Sequence, residues 1–534
     1  MGAFRKALQA ARPRSESKRR WLYVPYDQLH DGLGPLADEP AEELGIVLIE
    51  SRSKASRRPY HKQKLALVLT NMRHFAIEQA KRGVAVRYLD ACTTEDSDDA
   101  YAETLRRAAE DLGTIRVMRP AERELRHELQ DLFDDGTLEE SPHDGWLTTS
   151  EDFSAGKGPP WRMDAFYRRV RQRTGVLMED GKPIGGKYSF DADNRKAWRG
   201  EPPAPAVPTF APDAVTKEVC ALVERIFSDH PGTLRAEHLP ATRDDAERLW
   251  SWALDECMQH FGPYEDAMST RSTGLFHTRI SPLLNLHRIL PQRVVADVLA
   301  AEIPFNSKEG FVRQVLGWRE FVRHVHEATD GFRSLAKTQL DQNHLASDMP
   351  LPAAFWGEAP SGLHCLDQVV DDVWQEAYSH HITRLMVLGN LATLLGISPR
   401  ELTDWFWVAY ADAYDWVVEP NVLAMATFGV GELMTTKPYV AGSAYIHKMS
   451  DYCGDCAFHP KKTCPITRLY WQFLARNAER LEGNQRIAMP LRSLKKRKPE
   501  ERARDEEVFV AVRSALAAGQ PVTPATLALD GSRD

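Results

Sequence analysis

Short apolar runs alternate with amphipathic segments along residues 21–150. The runs are WLYV at 21–24, IVLIE at 46–50, VAVRYL at 84–89 and IRVMR at 115–119. Between them, helical spacing of apolar residues predicts a helix near 61–82 and another that ends at Gly113. Because strands that alternate with helices form parallel sheets with crossover helices, the pattern predicts an α/β domain over residues 21–150.

The pattern changes after residue 150. Residues 151–215 are rich in Gly, Pro and charged residues, as in AGKGPPWR and GEPPAPAVPTFAPD, and this composition predicts an interdomain linker. From 216 to 500 strand patterns are almost absent, and we expect a larger all-helical domain. One predicted helix covers 366–395, where helical spacing links Val370, Val373, Ala377, Leu385, Leu388 and Ala392.

Both ends of the chain are charged. Residues 1–20 are basic and lack the apolar core and cleavage site of a secretory signal, so a disordered basic tail is expected, with a transit peptide as the alternative. The charged segment LKKRKPEERARDEE leads into residues 501–534, for which a weakly ordered tail is expected.

Composition excludes some classes of protein. The 534 residues are 43% hydrophobic, the mean hydropathy is −0.44, and no uninterrupted apolar run is long enough to cross a membrane. We therefore expect no membrane association and, without a secretory signal, a cytoplasmic protein. The odd cysteine count argues against a disulfide framework, and nothing indicates an obligate dimer, so a monomer is expected.

The net charge of −8 disfavours nucleic-acid binding, but the charge is unevenly distributed. Between Lys437 and Glu500 there are thirteen Lys and Arg against five Asp and Glu. Such a local excess suits a surface that faces phosphates, and a solvated helix surface explains it equally well.

Three of the seven cysteines lie close together in MSDYCGDCAFHPKKTC. Cys453 and Cys456 form a Cys-x2-Cys, and Cys464 follows. Thiolates this close indicate either a zinc site completed by His459 or an iron–sulfur cluster completed by a fourth cysteine, for which Cys365 is the candidate. Spacing alone does not separate these two metals. The remaining cysteines, Cys92, Cys220 and Cys257, are expected to pack as small apolar residues.

Two adjacent histidines occur in YSHHITRLM. Helical spacing places His381 on the apolar stripe with Ala377, and His380 on the face of Arg384. A buried histidine beside a reacting group can transfer protons near neutral pH, whereas a core histidine bonded to the backbone is the simpler explanation for either one alone. Arg384 in an apolar helix needs an anionic partner, and Asp412 in VAYADAYDW is the candidate.

Tryptophans are frequent in the helical segment. Indoles usually fill cores, and they can also carry electrons when they stand in series, so both interpretations remain open. The tryptophans are Trp318, Trp356, Trp374, Trp405, Trp407, Trp416 and Trp471.

Four motifs then occur together in one order: GWREF at 317–321, HHITRLM at 380–386, ADAYDW at 411–416, and DYC-x2-C. They resemble the cryptochrome/photolyase superfamily and, within it, the iron–sulfur bacterial branch, the prokaryotic (6-4) photolyases, over residues 21–490. The resemblance implies a Rossmann-like antenna domain followed by a larger all-α FAD-binding domain. It also implies light-driven repair of (6-4) pyrimidine–pyrimidone photoproducts in UV-damaged DNA, by electron transfer from excited reduced FAD.

The resemblance also implies roles for single residues. Two histidines and two tyrosines would surround the lesion: His380, His381, Tyr439 and Tyr445. The FAD contacts would be Thr278 and Ser281 in HTRISPLLN, Gln314, Arg319, Arg384 and Asp412. The ligands of a [4Fe-4S] cluster would be Cys365, Cys453, Cys456 and Cys464. Trp405 and Trp356 would carry electrons, and Glu50 would contact an antenna, 6,7-dimethyl-8-ribityllumazine.

Three positions depart from the family pattern. Phe406 replaces an oxidisable tyrosine, and Tyr26 in YDQL replaces a glycine that lets the antenna approach. In WVVEPN the expected carboxylate is Val418 with Glu419 beside it, at a place where Asp191 and Asp266 would complete a Mg²⁺ site. A blue-light photoreceptor without repair activity is therefore the alternative within the family. Outside it, the alternative is a zinc-stabilised helical nucleic-acid-binding protein.

Overall fold

The computed structural model describes residues 2–13, 19–90, 100–334 and 342–529. Cys92 lies outside these ranges. Within them, one parallel sheet has five strands: β1 Arg20–Tyr23, β2 Leu44–Glu50, β3 Ala85–Asp90, β4 Ile115–Met118 and β5 Leu138–Ser141. Their order is β3-β2-β1-β4-β5, and Leu22 of β1 pairs with Ile46 on one side and Arg116 on the other. This doubly wound arrangement confirms the predicted α/β domain.

Helices cover both faces of this sheet. Every residue of β2 is buried, as the continuous apolar run LGIVLIE requires, and α4 packs against β2 and β3. The helix α5 ends at Gly113, whose φ of 76° suits glycine at this position. The helices of this region are α1 Ala3–Ala11, α2 Pro35–Asp38, α3 Arg52–Ser56, α4 Lys62–Lys81, α5 Tyr101–Leu112, α6 Arg123–Asp134 and α7 Ser150–Ser154.

The expected linker contains structure of its own. It forms α8 Met163–Thr174 and a hairpin of β6 Met178–Glu179 and β7 Lys182–Pro183. Phe166, Tyr167 and Val170 of α8 are buried. The helix approaches the helical domain at Gly317, where an added Cβ would lie 3.1 Å from Met163 Sδ. Its apolar face was hidden among the Gly and Pro residues that flank it.

The rest of the chain is helical, as predicted. Strand pairing in its described part is limited to one bridge between Met349 and Ile397. The helices are α9 Ala214–Ile226, α10 Arg243–Trp252, α11 Met258–Phe261, α12 Ser281–Asn285, α13 Pro291–Ala300, α14 Phe305–Val312, α15 Glu320–Ala328, α16 His364–Glu376, α17 His381–Thr383, α18 Asn390–Leu395, α19 Pro399–Ala409, α20 Asp415–Val418, α21 Ser443–Met449, α22 Ile466–Arg476, α23 Ala488–Lys495 and α24 Pro499–Ala517. Across the ranges described, none of the helices has both the length and the apolar character needed to cross a bilayer.

Several helices contain π-helical turns, which often mark functional sites. These turns are Ala253–Cys257, Arg313–Arg319, Arg384–Gly389 and Glu419–Ala426. Three of the predicted site residues, Gln314, Arg319 and Arg384, lie on them.

The two ends of the chain differ from the expected tails. Phe4 and Leu8 of α1 are buried against α4 and α9, and the Phe4 ring contacts Tyr88 at a centroid distance of 4.5 Å. At the other end, α24 packs on α22 and buries Val508 and Val512, among other apolar residues. Both helices are stabilised by tertiary packing of one apolar face, which the surrounding charges conceal in the sequence.

Candidate active site

The two predicted histidines follow a break between helices. α16 ends at Glu376, and Ala377 adopts a left-handed conformation with a φ of 51° that stops the helix. The prediction of a continuous helix over 366–395 was therefore wrong, since α17 begins at His381 and His380 is its N-cap residue. The predicted burial is reversed as a result. His380 is 2% exposed, whereas the side chain of His381 is 45% exposed.

A third histidine, His277, completes a cluster with this pair. Its ring stacks on His380 at a centroid distance of 4.5 Å and meets His381 edge-on at 5.3 Å. Burial, reinforced by neighbouring positive charge, lowers the pKa of His277 and of His380 well below the usual range. Both rings are therefore neutral at pH 7, and of the three only His381 faces solvent. His277 was not predicted, although it directly precedes Thr278 in a segment that had been singled out.

Asp266 connects His381 to Tyr445. The Tyr445 hydroxyl donates to Oδ2 of Asp266 at 3.1 Å, and Nε2 of His381 lies 3.9 Å from Oδ1. Burial raises the pKa of Asp266, and the charge of His381 opposes that shift. Tyr439 is half-buried, and burial together with the charge of Asp191 raises the pKa of its hydroxyl. His381 therefore has an acidic neighbour, Asp266, which is itself fixed by a hydrogen bond from Tyr445. A positioned neighbour of this kind suits proton transfer.

The expected ion pair between Arg384 and Asp412 is present. The two terminal nitrogens of Arg384 bind the two carboxylate oxygens at 2.9 and 3.0 Å, and its guanidinium lies 4.0 Å from the centre of the Tyr410 ring. Ser281 donates its hydroxyl to Asp412 at 2.7 Å. Burial alone would raise the pKa of Asp412, but Arg384 holds it below the usual value. The carboxylate is therefore charged in a buried position, held by a bidentate partner.

A cleft opens beside this ion pair. Its empty volume, counted to the open mouth, is about 650 Å³, and its walls include Arg279, Pro282, Tyr378 and Ala411. The Tyr378 ring centre lies 6.0 Å from the Arg384 guanidinium. Thr278 is buried next to Arg279, whose Nε is also buried and has no hydrogen-bond partner within the described ranges. A cleft lined by apolar, aromatic and charged side chains suits a cofactor that is partly polar.

Gln314 and Arg319 are held by the protein around this region. Nε2 of Gln314 donates to Glu265 at 2.7 Å. Arg319 donates to the carbonyl of Leu284 in α12 at 3.2 Å, and its guanidinium lies 4.2 Å from the centre of a Trp146 ring. Arg319 therefore ties α12, which borders the cleft, to the α/β domain.

The four predicted cysteine ligands line one small cavity. Cys365 comes from α16, and Cys453, Cys456 and Cys464 come from the loop between α21 and α22. Burial, with added charge from neighbouring thiols, raises the pKa of Cys464 to about 12 and that of Cys453 to about 11. Without a metal the thiols of Cys464 and Cys453 would stay protonated, whereas coordination deprotonates them.

The spacing of the sulfur atoms discriminates between the two metals. Zn–S bonds of about 2.3 Å place the sulfurs of a zinc site about 3.8 Å apart. In the described chain, the three histidines form the only group of three or more candidate ligands whose atoms all lie within 4.8 Å of one another, so the sulfurs are more widely spread. His459 is exposed, and its Nδ1 accepts a hydrogen bond from the Lys461 amide at 3.2 Å. A larger inorganic core fits these thiols better than a single ion.

A third indole lies between the two tryptophans expected to carry electrons. Trp374 is 5.9 Å from Trp405 and 5.7 Å from Trp356, measured between ring centres. Trp405 is 1% exposed and Trp356 is half-buried, so the series runs from the core toward the surface. Phe406 contacts Trp405 edge-on at 5.1 Å and stacks on Tyr410, but a phenylalanine ring is not readily oxidised.

Comparisons with known proteins agree with this site. A family described as deoxyribodipyrimidine photo-lyase-related protein matches residues 22–239, and the FAD binding domain of DNA photolyase matches residues 311–445. A (6-4) photolyase of Agrobacterium fabrum is 37% identical over 482 residues, which are 87% of this chain and 93% of that protein. The chain belongs to the cryptochrome/photolyase family.

Two further comparisons show how much of this photolyase-family chain is similar to other proteins. The crystal structure of a bacterial class III photolyase from Agrobacterium tumefaciens gives a TM-score of 0.53 at 16% identity and covers 94% of this chain and 99% of that one. An uncharacterized protein of Acanthamoeba polyphaga mimivirus is 33% identical over 102 residues, 19% of this chain and 80% of that protein. The predicted family and fold are confirmed.

Glu419 does not replace the family carboxylate missing at Val418. It is fully buried and binds His326 at 2.9 Å, Arg333 at 2.8 Å and Arg400 at 2.9 Å. Burial alone would raise its pKa, but hydrogen bonds from His326 and Arg333 lower it to about 2. Glu419 therefore stabilises the fold, and its oxygens are not available to a metal.

We expect Glu419→Gln to lower the free energy of unfolding by about 3 kcal/mol at pH 7, because a pKa displaced from 4.5 to about 2 contributes that much to stability. A carboxylate with a depressed folded-state pKa stabilises above its unfolded pKa and loses that contribution as pH falls. The difference between the two proteins should therefore shrink below about pH 4.5 and reach roughly half at pH 3. Denaturant unfolding at several pH values measures it. An equal difference at pH 7 and pH 3 would contradict this role.

The residues expected near the antenna bind other side chains of the protein. Both oxygens of Glu50 bind Arg73, at 2.6 and 2.9 Å, and Tyr88 donates its hydroxyl to Glu50 at 2.6 Å. Tyr26 is 6% exposed and donates its hydroxyl to Glu122. Glu50, the predicted antenna contact, has both carboxylate oxygens engaged, and Tyr26, which stands where the family has a glycine, is buried. These residues therefore do not fit the antenna.

Proposed function

We propose that the protein uses blue light to repair (6-4) pyrimidine–pyrimidone photoproducts in DNA. The observation that carries this proposal is the arrangement of His381, Asp266 and Tyr445, in which Asp266 contacts both the histidine and the tyrosine. The 37% identity to a (6-4) photolyase over most of the chain supports the same reaction. A photoreceptor without repair activity has no evident use for a solvent-facing proton donor, so the arrangement favours repair.

The cleft beside the ion pair fits FAD. Thr278 and the Nε of Arg279 would contact its phosphates, whereas the other nitrogens of Arg279 bind Glu376 and Thr273. Arg384 and Asp412 would lie beside its ring, and Ser281 is engaged by Asp412. When bound in its reduced form, FAD supplies an electron to the lesion after absorbing blue light. The buried ion pair presents a fixed cation to that ring, and its low-dielectric surroundings strengthen the interaction.

His381 is the proton donor in the proposed reaction. His277 and His380 are neutral and stacked on each other, and both rings contact that of His381. Asp266 faces Nε2 of His381 and is itself fixed by Tyr445. A base flipped out of the duplex would enter from the solvent side, where His381 can donate a proton to the group that returns to its own base.

The proposed substrate is UV-damaged DNA. Nine basic residues of the segment from Lys437 to Glu500 are exposed: Lys448, Lys461, Lys462, Arg480, Arg486, Arg492, Lys495, Lys496 and Lys498. Cations on this surface would bind the phosphates that flank the lesion, with the strong salt dependence typical of such contacts.

The four cysteines support a [4Fe-4S] cluster in the proposed protein. When bound, the cluster would link α16 to the loop between α21 and α22. Apolar side chains surround the thiols and shield the site from water: Leu363, Ile446, Tyr452, Phe458 and Ile466.

Trp374 is expected to carry electrons from Trp356 to Trp405. Replacing Trp374 by Phe keeps the packing but removes the oxidisable ring between the other two. We expect light-driven reduction of the bound flavin to slow strongly, while repair by chemically reduced protein stays unchanged. Transient absorption measures the first, and a repair assay the second. Trp318→Phe is the matched control, and unchanged photoreduction in Trp374→Phe would contradict the path.

The experiment that tests the proposed function uses an oligonucleotide with a single (6-4) photoproduct. Reduced protein and oligonucleotide are irradiated with blue light, and restored thymines are measured by chromatography against a dark control. Restoration under light alone supports repair. Normal flavin photoreduction without restoration would overturn it and favour the photoreceptor.

A further inference from the structure

Two acidic residues near the candidate proton donor share one arginine. Arg195 pairs with Asp191, four residues earlier, and its Nε lies 3.7 Å from Oδ2 of Asp266. Asp266 also accepts a hydrogen bond from Tyr445 at 3.1 Å. The guanidinium of Arg195 thus lies between the two carboxylates that a Mg²⁺ ion in this pocket would use.

Among the described residues, the other acidic side chains near this pocket are already engaged by the protein. Val418 is apolar and 3% exposed, and its neighbour Glu419 is held by buried cations. Glu265, next to Asp266, accepts hydrogen bonds from Asn194 at 2.8 Å and from Gln314 at 2.7 Å. Mg²⁺ is usually held by one or two carboxylates and several waters, and here it would have to displace Arg195 from both aspartates.

Further cations surround the two aspartates. Arg313 lies 3.6 Å from Asp191. The side chains of Arg486 and Arg195 are both close enough to Lys437 that their charges reinforce the effect of burial in lowering its pKa. These cations and Arg195 balance the four carboxylates Asp191, Asp266, Glu265 and Glu309, so the pocket offers a divalent cation no net negative charge.

We infer that Arg195 is the resident cation of this pocket, and that the protein binds and repairs its DNA without a divalent metal ion. The repair part of this inference rests on the proposed function. The Arg195 side chain is 55% exposed, so its remaining donors can reach a phosphate of the flipped nucleotide while Asp191 and Asp266 hold its position. A fixed guanidinium thus performs the charge compensation that a bound ion would otherwise supply.

Metal binding is tested directly with Mn²⁺ as a paramagnetic probe for Mg²⁺, followed by electron paramagnetic resonance on the full-length protein. This measurement does not depend on repair, so its failure is distinct from failure of the proposed function. We expect no signal from bound Mn²⁺ that added Mg²⁺ removes by competition. In parallel, repair and lesion-DNA affinity should change by less than about twofold between EDTA and added Mg²⁺ at constant ionic strength.

Variants separate charge from structure. Arg195→Gln should weaken binding of lesion DNA about tenfold in EDTA, and Mg²⁺ should restore part of it, whereas Arg195→Lys should remain independent of metal. Arg195→Gln combined with Val418→Glu should bind Mn²⁺ more tightly than either single variant. The control is Arg199→Gln, because Arg199 is nearby in sequence but donates only to the backbone carbonyls of Lys448 and Ser450. It should not create a response to Mg²⁺.

Two results would overturn the inference. One is a Mg²⁺-competitive Mn²⁺ site in the unmodified protein that disappears in Asp191→Asn. The other is repair that falls more than about tenfold in EDTA and returns with Mg²⁺, with Arg195→Gln behaving like the unmodified protein.

Discussion

His381→Ala should lower the rate of (6-4) repair about 100-fold or more while the protein keeps its flavin. A positioned general acid contributes this much, and His381 is the one ring of the three-histidine cluster that combines solvent exposure with a contact to Asp266. The measurement is restoration of thymines under blue light, together with the ratio of flavin to protein absorbance.

His127→Ala is the matched control for this variant. His127 is an exposed histidine on α6 that contacts Asp330. It does not line the cleft. Its loss should leave repair unchanged. Full repair by His381→Ala, with flavin retained, would remove His381 as the acid and leave the proposed proton transfer without a donor.

Cys365→Ser should release the iron cluster and lower the free energy of unfolding by about 4 kcal/mol or more, as loss of a structural metal site does. Cys365 is the only cavity-lining thiol from α16, so its removal disconnects that helix from the loop that holds the other three. Iron content and denaturant unfolding measure the two effects.

Cys220→Ser is the control for the cysteine variant. Cys220 lies half-buried on α9, outside the cavity, so this change should cost less than about 1 kcal/mol and leave the iron content unchanged. A Cys365→Ser protein with a full complement of iron would contradict the four-thiolate assignment and favour ligands within the loop.

Parts of the fold follow directly from local sequence patterns. The alternation of IVLIE and VAVRYL with helical segments predicted the parallel sheet, because a strand covered on both faces must be apolar throughout. The tails could not be predicted in this way. Phe4 and Leu8, or Val508 and Val512, show their role only when α4 or α22 supplies the opposite surface.

In the site too, some features follow from local sequence motifs and others depend on tertiary structure. The partner of Arg384 followed from charge, since a buried arginine needs a carboxylate. The burial of His380 and His381 was predicted the wrong way round, because one residue, Ala377, leaves the helical conformation and resets the helical phase. His277 and Trp374 joined their clusters through contacts between distant segments, and no local spacing signals such contacts.

Departures from the family pattern are consistent with one another in three dimensions. Where Val418 replaces the family carboxylate, Arg195 lies between the two remaining aspartates. Where Tyr26 replaces the family glycine, Glu50 is bound by Arg73. In each place an arginine of the protein pairs with a carboxylate that the family pattern assigns to a ligand.

The central claim is that the helical domain holds a flavin beside the histidine cluster and an iron cluster on four thiolates. The most direct test is the flavin, iron and zinc content of protein purified without oxygen, read together with its absorption spectrum. We predict about one flavin and about four iron atoms per chain, with flavin bands and broad iron–sulfur absorption. A colourless protein with equimolar zinc and no flavin, even after reconstitution, would contradict this account.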